Sequence, residues 1–213
     1  MDTARHAYDS AVAEAIRQVG LDPEIFIKKS MPQSELFMAE LLPLIHRLFF
    51  SWPENAEITV LDVGPQTFSG TALLARLHHP LSFNQLKMRV SAVDIHDKFL
   101  GVKQLVAPDV EFILSDIFDL KRSWDLVICS HVIEHVDSPL RFMRQLQKIA
   151  RSHVVLAAPW NEKPLVTQGH LNTIDKQLVR KAGGKDLSVF TNFSWGKSRE
   201  VCVFSLDGLC DAR

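Results

Sequence analysis

The chain has 213 residues, of which 46% are hydrophobic and 23% are charged, a composition typical of a well-cored globular domain with or without an appendage. The formal net charge of −1 argues against a strong overall attraction to nucleic acid or to an anionic membrane surface. Three cysteines at irregular spacing, with no CxxC pair, indicate reduced thiols rather than a disulfide framework. The N-terminus lacks the apolar core of a secretory signal and no apolar run is long enough to span a bilayer, so we expect a cytoplasmic protein with no membrane span.

The N-terminal part of the chain is predicted to be helical. Apolar side chains recur at helical spacing between Tyr8 and Val19, and an Asp-Pro pair and Ser34 indicate two further helix starts. The predicted helices are 2–19, 23–29 and 35–50, with a proline kink in the third at position 43. We therefore divide the chain into an N-terminal helical cap, residues 1–52, and a core, residues 53–213.

Short apolar runs then alternate with helical segments. The runs are rich in valine and isoleucine and do not strictly alternate with polar residues, which is typical of strands buried on both faces. The predicted strands are 58–64, 89–95, 110–116, 125–130 and 153–159, and the predicted helices are 69–77, 98–107, 139–150 and 173–182. Two last runs, 187–195 and 199–206, flank a short glycine-bearing loop and predict an antiparallel hairpin. The sequence therefore predicts an α/β fold: a Rossmann-like, seven-stranded, mostly parallel sheet that ends in an antiparallel hairpin, with helices on both faces.

Acidic residues stand at the ends of the first three predicted strands. Asp62 precedes a turn that contains Gly64 and Gly70, and glycines before a helix let a ligand approach the backbone closely. Asp94 ends the second strand, where a carboxylate can accept hydrogen bonds from ribose hydroxyls, and Asp116 ends the third. Each position also has a purely structural alternative: an ordinary strand–helix turn, a helix-capping aspartate or a turn aspartate. Because parallel strands end at one edge of the sheet, the three carboxylates together indicate a nucleotide-cofactor site.

The successive motifs LDVGPQTFSG, AVDI, ILSDIFDL and WDLVICSHVIEHVDSP, followed by a helix and VVLAAP, resemble those of class I S-adenosylmethionine-dependent methyltransferases over residues 57–160. The C-terminal hairpin is similar to the last two strands of that family. The resemblance implies that the first motif contacts the methionine moiety, that the acid after strand 2 binds ribose, and that the acid after strand 3 binds adenine. The implied cofactor-binding residues are Asp62, Gly64, Gly70, Asp94, Ile95, Asp116, Ile117 and Ser130.

The first motif departs from the family pattern. The segment GPQTFSG lacks the middle glycine of the usual GxGxG, and its loop is longer by two residues. The departure weakens the interpretation as a nucleotide-dependent oxidoreductase, which depends more strongly on those glycines. It also motivates an alternative from another class, a catalytically inactive binding module that keeps the methyltransferase fold.

The residues that follow strand 4 form the pattern HxxEH. His131, Glu134 and His135 stand at positions i, i+3 and i+4, which one helical turn would bring to one side. This is the pattern of an inverted zinc-protease motif, but here it follows a buried strand instead of lying within a regular helix, which argues against a protease. An EH pair at this point resembles the ubiquinone-pathway O-methyltransferases and the small-RNA 2′-O-methyltransferases, some of which bind a divalent metal through ExxEH and a later histidine.

That resemblance implies a divalent-metal site made of His131, Glu134, His135 and His170. Histidine in place of the first glutamate would shift the preference from magnesium toward zinc, manganese or iron. Two other interpretations stay open. Glu134 and His135 organise the loop without a metal, or His131, His135 or His170 acts as a general base that takes a proton from a hydroxyl group.

We therefore expect an enzyme that transfers a methyl group from S-adenosylmethionine to an oxygen acceptor, with nitrogen and carbon as weaker alternatives. The near-neutral charge favours a small molecule or a sugar over nucleic acid as the acceptor. A metal-assisted RNA 2′-O-methyltransferase is a further alternative.

Overall fold

The computed structural model describes residues 2–54, 56–165, 167–192 and 199–210, with side chains described from residue 7 onward. Seven strands form one sheet in the order β3-β2-β1-β4-β5-β7-β6. The strands are β1 Glu57–Val63, β2 Lys87–Asp94, β3 Glu111–Leu114, β4 Trp124–Ser130, β5 Ala150–Pro159, β6 Lys185–Asn192 and β7 Arg199–Asp207. The pairs among β1 to β5 are parallel, and β7 runs antiparallel to both β5 and β6. The predicted sheet is confirmed, while the predicted hairpin turn, residues 196–198, lies outside the described residues together with Trp195.

The helices are α1 Asp2–Gln18, α2 Pro23–Ile25, α3 Met31–Leu48, α4 Ser69–Leu77, α5 Leu100–Val106, α6 Pro139–Ile149 and α7 Lys176–Lys181, with a π-helical turn Phe26–Ser30 between α2 and α3. The Asp22 carboxylate caps α2 by accepting from the Glu24 amide at 2.8 Å, as predicted. The predicted helix start at Ser34 is wrong, because the π-helical turn joins α2 to α3 and Ser34 lies inside α3. Its hydroxyl oxygen accepts a hydrogen bond from the amide of Gly70 at 3.3 Å instead of capping its own helix.

The last helix begins later than predicted. The sequence predicts a start at Thr173, but Ile174 forms a parallel bridge with Trp160. The Asp175 carboxylate then accepts a hydrogen bond from the amide of Leu178 at 2.9 Å and caps α7.

The sheet is buried on both faces, as the valine- and isoleucine-rich strands predict. Along β1, Ile58 and Val60 lie in one hydrophobic cluster, and Leu61 and Val63 lie in the other. Residues of α3 and α4 share the first cluster, and residues of α6 and α7 share the second. Helix α3 therefore forms part of the main core, and the division at residue 52 stays a prediction.

A smaller cluster connects the chain's first helix to α5. Val12 and Ile16 of α1 pack there with Phe26 and Val102. Within the part of the chain that the structure describes, no helix combines the length and the apolar character needed to cross a bilayer.

Candidate active site

The carboxyl ends of β1, β2 and β3 lie side by side at one edge of the sheet. Asp62 pairs in register with Ala92, and Asp94 pairs with Leu114. The amide of Gly64 donates to the carbonyl of Val93 at 2.9 Å, which holds the exit of β1 against that of β2. The predicted acidic residues after these strands therefore reach the same edge, where ligands bind in sheets of this kind.

Asp94 and Asp116 each make one local contact that leaves a second oxygen available. Oδ1 of Asp94 accepts from the amide of His96 at 3.0 Å, and Oδ1 of Asp116 accepts from the amide of Phe118 at 3.0 Å. Asp94 is half-buried and Asp116 is exposed. The turn-forming alternative and the ligand-binding role are thus compatible, because a carboxylate has a second oxygen to offer a hydroxyl or an amino group.

Asp62 differs from the other two acids because it is buried, with 4% of its surface exposed. Its Oδ2 accepts a hydrogen bond from the Thr71 hydroxyl at 2.5 Å. Burial raises the pKa of Asp62 from 3.8 to about 6, while the Thr71 hydrogen bond opposes the shift and the charge of Asp94 reinforces it. Above pH 6 the ionised Asp62 therefore lowers the stability of the fold unless a cationic or hydrogen-bonding ligand compensates for its burial.

The two predicted glycines of the first loop, Gly64 and Gly70, have different structural roles. Gly64 has a left-handed backbone (φ 75°), and a Cβ there would lie 2.7 Å from Cγ2 of Val132. At Gly70 a Cβ would lie 2.5 Å from the backbone oxygen of Ser34. Gly64 thus shapes the loop at the sheet edge, and Gly70 lets α4 approach the cap helix α3.

Two adjoining cavities run along the sheet edge. Their volumes are about 410 Å³ and 570 Å³. Both are lined by Gly64, Asp94, Ile95, Val132 and His135. The shared walls make them one continuous cleft.

The predicted cofactor residues divide between the two ends of this cleft. Asp116 and the buried Ile117, the predicted adenine contacts, line the smaller cavity. The larger cavity is lined by Asp62, Gly70, Ser130, His131 and His170. Ser130 also donates to the backbone oxygen of Phe37 at 3.4 Å, and Ile95 is 61% exposed at the boundary between the cavities.

His131 lies between two buried carboxylates. Its Nε2 is 3.6 Å from Oε2 of Glu40, and its Nδ1 is 3.5 Å from Oε1 of Glu134. The ring stacks on Phe37 with the centroids 3.7 Å apart, and its backbone is left-handed (φ 56°). Burial disfavours the charged ring, but Glu134 and Glu40 outweigh burial and raise the pKa of His131 above 6.5.

His135 and His170 form a second histidine group with Glu134. The three residues offer ligand atoms that lie within 4.8 Å of one another. The Nδ1 hydrogen of His135 is directed to the carbonyl of Gly169 at 2.9 Å, and Nδ1 of His170 is hydrogen-bonded to the carboxylate of Glu162. The structure therefore brings three of the four predicted metal ligands together, whereas His131 lies outside this group although its Nδ1 is 3.5 Å from Oε1 of Glu134.

Two glutamates of the site were missed by the sequence reasoning. Glu40 stands three residues after Phe37 and four before Leu44, on the apolar stripe of α3, and a charge on such a stripe is the signal that could have found it. Its Oε1 accepts a hydrogen bond from the side-chain amide of Asn192 on β6. Glu162 follows β5 in an irregular loop that carries no periodic pattern, so no comparable signal pointed to it.

Comparison with known proteins agrees with this geometry. The family model described as a methyltransferase domain matches residues 33–196. No curated protein matches the chain significantly in sequence. The family match covers the cleft, nearly all of α3 and strands β1 to β6, and it ends before β7.

Solved structures resemble the whole chain in fold. The magnesium protoporphyrin IX methyltransferase of Synechocystis, crystallised with bound S-adenosylmethionine, has a TM-score of 0.59 at 15% identity and covers 96% of this chain and 95% of its own. The N-methyltransferase NodS of Bradyrhizobium japonicum, in complex with S-adenosylhomocysteine, has a TM-score of 0.62 at 13% identity over 93% and 99% of the two chains. The 1,6-didemethyltoxoflavin-N1-methyltransferase of Burkholderia thailandensis has a TM-score of 0.59 at 16% identity over 82% and 79%. At these identities the likeness establishes the fold.

Proposed function

Because this chain belongs to the methyltransferase-domain family, we propose that it binds S-adenosylmethionine in the cleft and transfers the methyl group to an oxygen of a small molecule or sugar. The observation that carries the proposal is the order of groups along one cleft. Asp116 lies at one end, Asp94 at the middle, and His131, His135 and His170 at the other end. This order matches the adenine, the ribose and the methyl-bearing sulfur of the cofactor.

In the proposed reaction an acceptor oxygen attacks the methyl carbon from the side opposite the sulfur. The carbon–sulfur bond breaks as the carbon–oxygen bond forms, and the sulfonium becomes the neutral thioether of S-adenosylhomocysteine. The acceptor loses its hydroxyl proton to a base. Holding the two reactants in line supplies much of the acceleration, and a positioned base adds about 10²–10⁴-fold.

His131 is the base we favour. Glu40 and Glu134 flank its ring and stabilise the imidazolium that forms when the proton arrives. His135, whose side chain is 43% exposed, and His170 are the alternative bases from the same cavity.

Isothermal titration calorimetry with S-adenosylmethionine and S-adenosylhomocysteine tests cofactor binding. We expect saturable binding to the folded protein. Absence of heat at high micromolar cofactor would refute the proposal. If the cofactor binds but no turnover is found with any acceptor, the inactive binding module becomes the better description.

The oxygen acceptor needs a separate experiment. The protein is incubated with a small-molecule metabolite extract and S-adenosylmethionine that carries a trideuteriomethyl group, and labelled products are found by mass spectrometry. NMR then locates the methyl group on oxygen, nitrogen or carbon. Labelled products that carry the methyl only on nitrogen or carbon would overturn the proposed oxygen chemistry while leaving the methyltransferase assignment intact.

A second candidate is metal-assisted methyl transfer, favoured by the group of Glu134, His135 and His170. The donor set fits a divalent metal, because Gly169 and Glu162 fix the Nδ1 sides of the two imidazoles and direct Nε2 as the ligand atom. A metal held by these three residues, without His131, would lower the pKa of an acceptor hydroxyl.

Elemental analysis of protein purified without an affinity tag tests this metal site. Stoichiometric zinc, manganese or iron that is lost in His170→Ala but kept in His79→Ala, an exposed control outside the cleft, would support it. Metal-free protein with chelator-insensitive turnover would leave the histidines as bases or as structural residues of the loop.

A further inference from the structure

The two segments that lead into β1 and β2 lie next to each other at the edge of the sheet where these strands begin. Residues 49–54 precede β1 and residues 78–86 precede β2, and the two strands pair in parallel from Glu57 and Lys87 onward. The cleft lies at the carboxyl ends of the same strands. The two segments therefore form a surface at the opposite edge of the sheet from the cleft.

Three large apolar side chains are exposed on this surface. Phe50 is 90% exposed, Leu81 is 89% exposed and Phe83 is fully exposed. Phe50 lines a cavity of about 350 Å³ together with Trp52 and residues 84–86, which follow Phe83 directly. Contiguous apolar exposure of this kind is typical of an interaction site.

Hydrogen bonds hold the second segment in place although its apolar side chains are exposed. The fully buried imidazole of His78 has its Nδ1 3.1 Å from the carbonyl oxygen of Leu86 and its Nε2 3.2 Å from Nε2 of His46, in the last turn of α3. The ammonium group of Lys87 donates to the carbonyl oxygen of Ser82 at 2.6 Å. The surface is therefore preformed, which lowers the entropy cost of binding a partner.

The chemistry of this surface favours a second copy of the chain over a membrane or a nucleic acid. The described residues that line the cavity include no lysine or arginine that could bind phosphate groups. The net charge of −1 produces little repulsion between two copies. The chain also supplies both sides of a contact, because the projecting ring of Phe83 lies beside an aromatic cavity that such a ring would fill.

The exposed apolar area is close to what a dimer needs. Phe50, Leu81 and Phe83 together offer roughly 500 Å², and a standard interface buries about 800 Å² from each partner. Trp52 and Gln85, which line the cavity, would contribute to the remainder. Because the projecting ring and the cavity are neighbours on one surface, a two-fold arrangement lets each copy provide both.

We propose that this surface joins two copies of the chain about a two-fold axis. The ring of Phe83 of each copy fills the cavity of the other copy, beside Phe50 and Trp52. Both clefts stay accessible, because they lie at the opposite edge of the sheet. The dimer does not depend on the proposed cofactor or acceptor, so its test is independent of the proposed function.

Sedimentation velocity of the protein at low to high micromolar concentration measures its association. We expect a reversible equilibrium between monomer and dimer. Phe83→Ser should weaken the dimer at least about a hundredfold, because each dimer loses the same anchoring ring twice. Since Phe83 is fully exposed in the monomer, the variant should keep the wild-type midpoint of urea unfolding.

Phe50→Ser is the second variant, and it should also weaken the dimer without changing the stability of the monomer. Ile25→Ser is the matched control, because Ile25 is an apolar side chain on α2 that is 52% exposed outside this surface, and this variant should associate as the wild type does. Wild-type protein that stays monomeric at high micromolar concentration would overturn the inference, as would a dimer that neither Phe50→Ser nor Phe83→Ser weakens. Monomeric protein that sediments with anionic lipid vesicles, and no longer does so after Phe83→Ser, would assign the surface to a membrane and also overturn the dimer.

Discussion

Asp62 is predicted to lower the stability of the ligand-free protein at neutral pH. Its pKa rises from 3.8 to about 6 on folding because the carboxyl group is buried. Below pH 3.8 the group is protonated in both the folded and the unfolded chain, and the difference between them develops as the pH rises through 6. About two pKa units at 1.36 kcal/mol each lower the free energy of unfolding by about 3 kcal/mol above pH 6.

The substitution Asp62→Asn should remove this effect. Asparagine is neutral at every pH and its oxygen can still accept the hydrogen bond from Thr71. Relative to the wild type, the variant should gain up to about 3 kcal/mol at pH 7.5 and about half as much at pH 5. Urea unfolding of the ligand-free proteins at the two pH values measures the gain. The same variant should bind S-adenosylmethionine more weakly, since the cofactor's cationic groups lose a nearby charge.

The pH dependence is the decisive part of this measurement. If the asparagine amide stabilised or destabilised the fold for a reason other than charge, the free energy of unfolding of the variant would change equally at pH 5 and pH 7.5. A stability difference that does not grow with pH would therefore refute the assignment of the raised pKa to Asp62. Asp109→Asn, at an exposed aspartate outside the cleft, serves as the control.

Three further predictions follow from the geometry of the site. Asp94→Ala should weaken cofactor binding by about 1–3 kcal/mol in calorimetry, because a ribose loses its charged acceptor; wild-type affinity would remove Asp94 from the site. Gly70→Ala should destabilise the fold by about 1–3 kcal/mol in urea unfolding, because a Cβ at this position would lie 2.5 Å from a backbone oxygen of α3. Gly101→Ala is the control and should be neutral or stabilising, because the nearest atom to a Cβ at that position is 3.7 Å away. Glu40→Gln should lower the pKa of His131 in NMR titrations and move the acidic limb of the pH–rate profile to lower pH; an unmoved pKa would contradict the role of Glu40.

The sheet could be predicted because strands that are buried on both faces are apolar along their whole length, and this is visible in the sequence. A strand such as β1, which contributes Ile58 and Val60 to one cluster and Leu61 and Val63 to the other, has to be apolar on both sides. The acids at the strand ends followed from the same prediction, because parallel pairing fixes where each strand ends. Residues 57–160 therefore contained most of the information about the end of the cleft that Asp94 and Asp116 line.

The end of the cleft at His131 and His170 could not be predicted as well, because it is built by contacts between distant segments and within an irregular loop. Glu40 meets His131 across more than ninety positions of the sequence, and Glu162 meets His170 within an irregular loop. The start of α3 was misplaced for a related reason. A π-helical turn has no signature in the spacing of apolar residues, so the sequence predicts a helix cap at Ser34, whereas the Ser34 hydroxyl contacts the amide of Gly70.

The helical cap and the chemistry at His131 depend on each other. Phe37 stacks on the ring, Glu40 faces its Nε2, and both belong to α3. Helix α3 packs closely on α4 at Gly70, where a Cβ would lie 2.5 Å from the backbone oxygen of Ser34. A side chain at Gly70 should therefore lower the pKa of His131 as well as the stability, because it moves Glu40 away from the ring. Gly70 thus allows the close packing of α3 on which the contact between Glu40 and His131 depends.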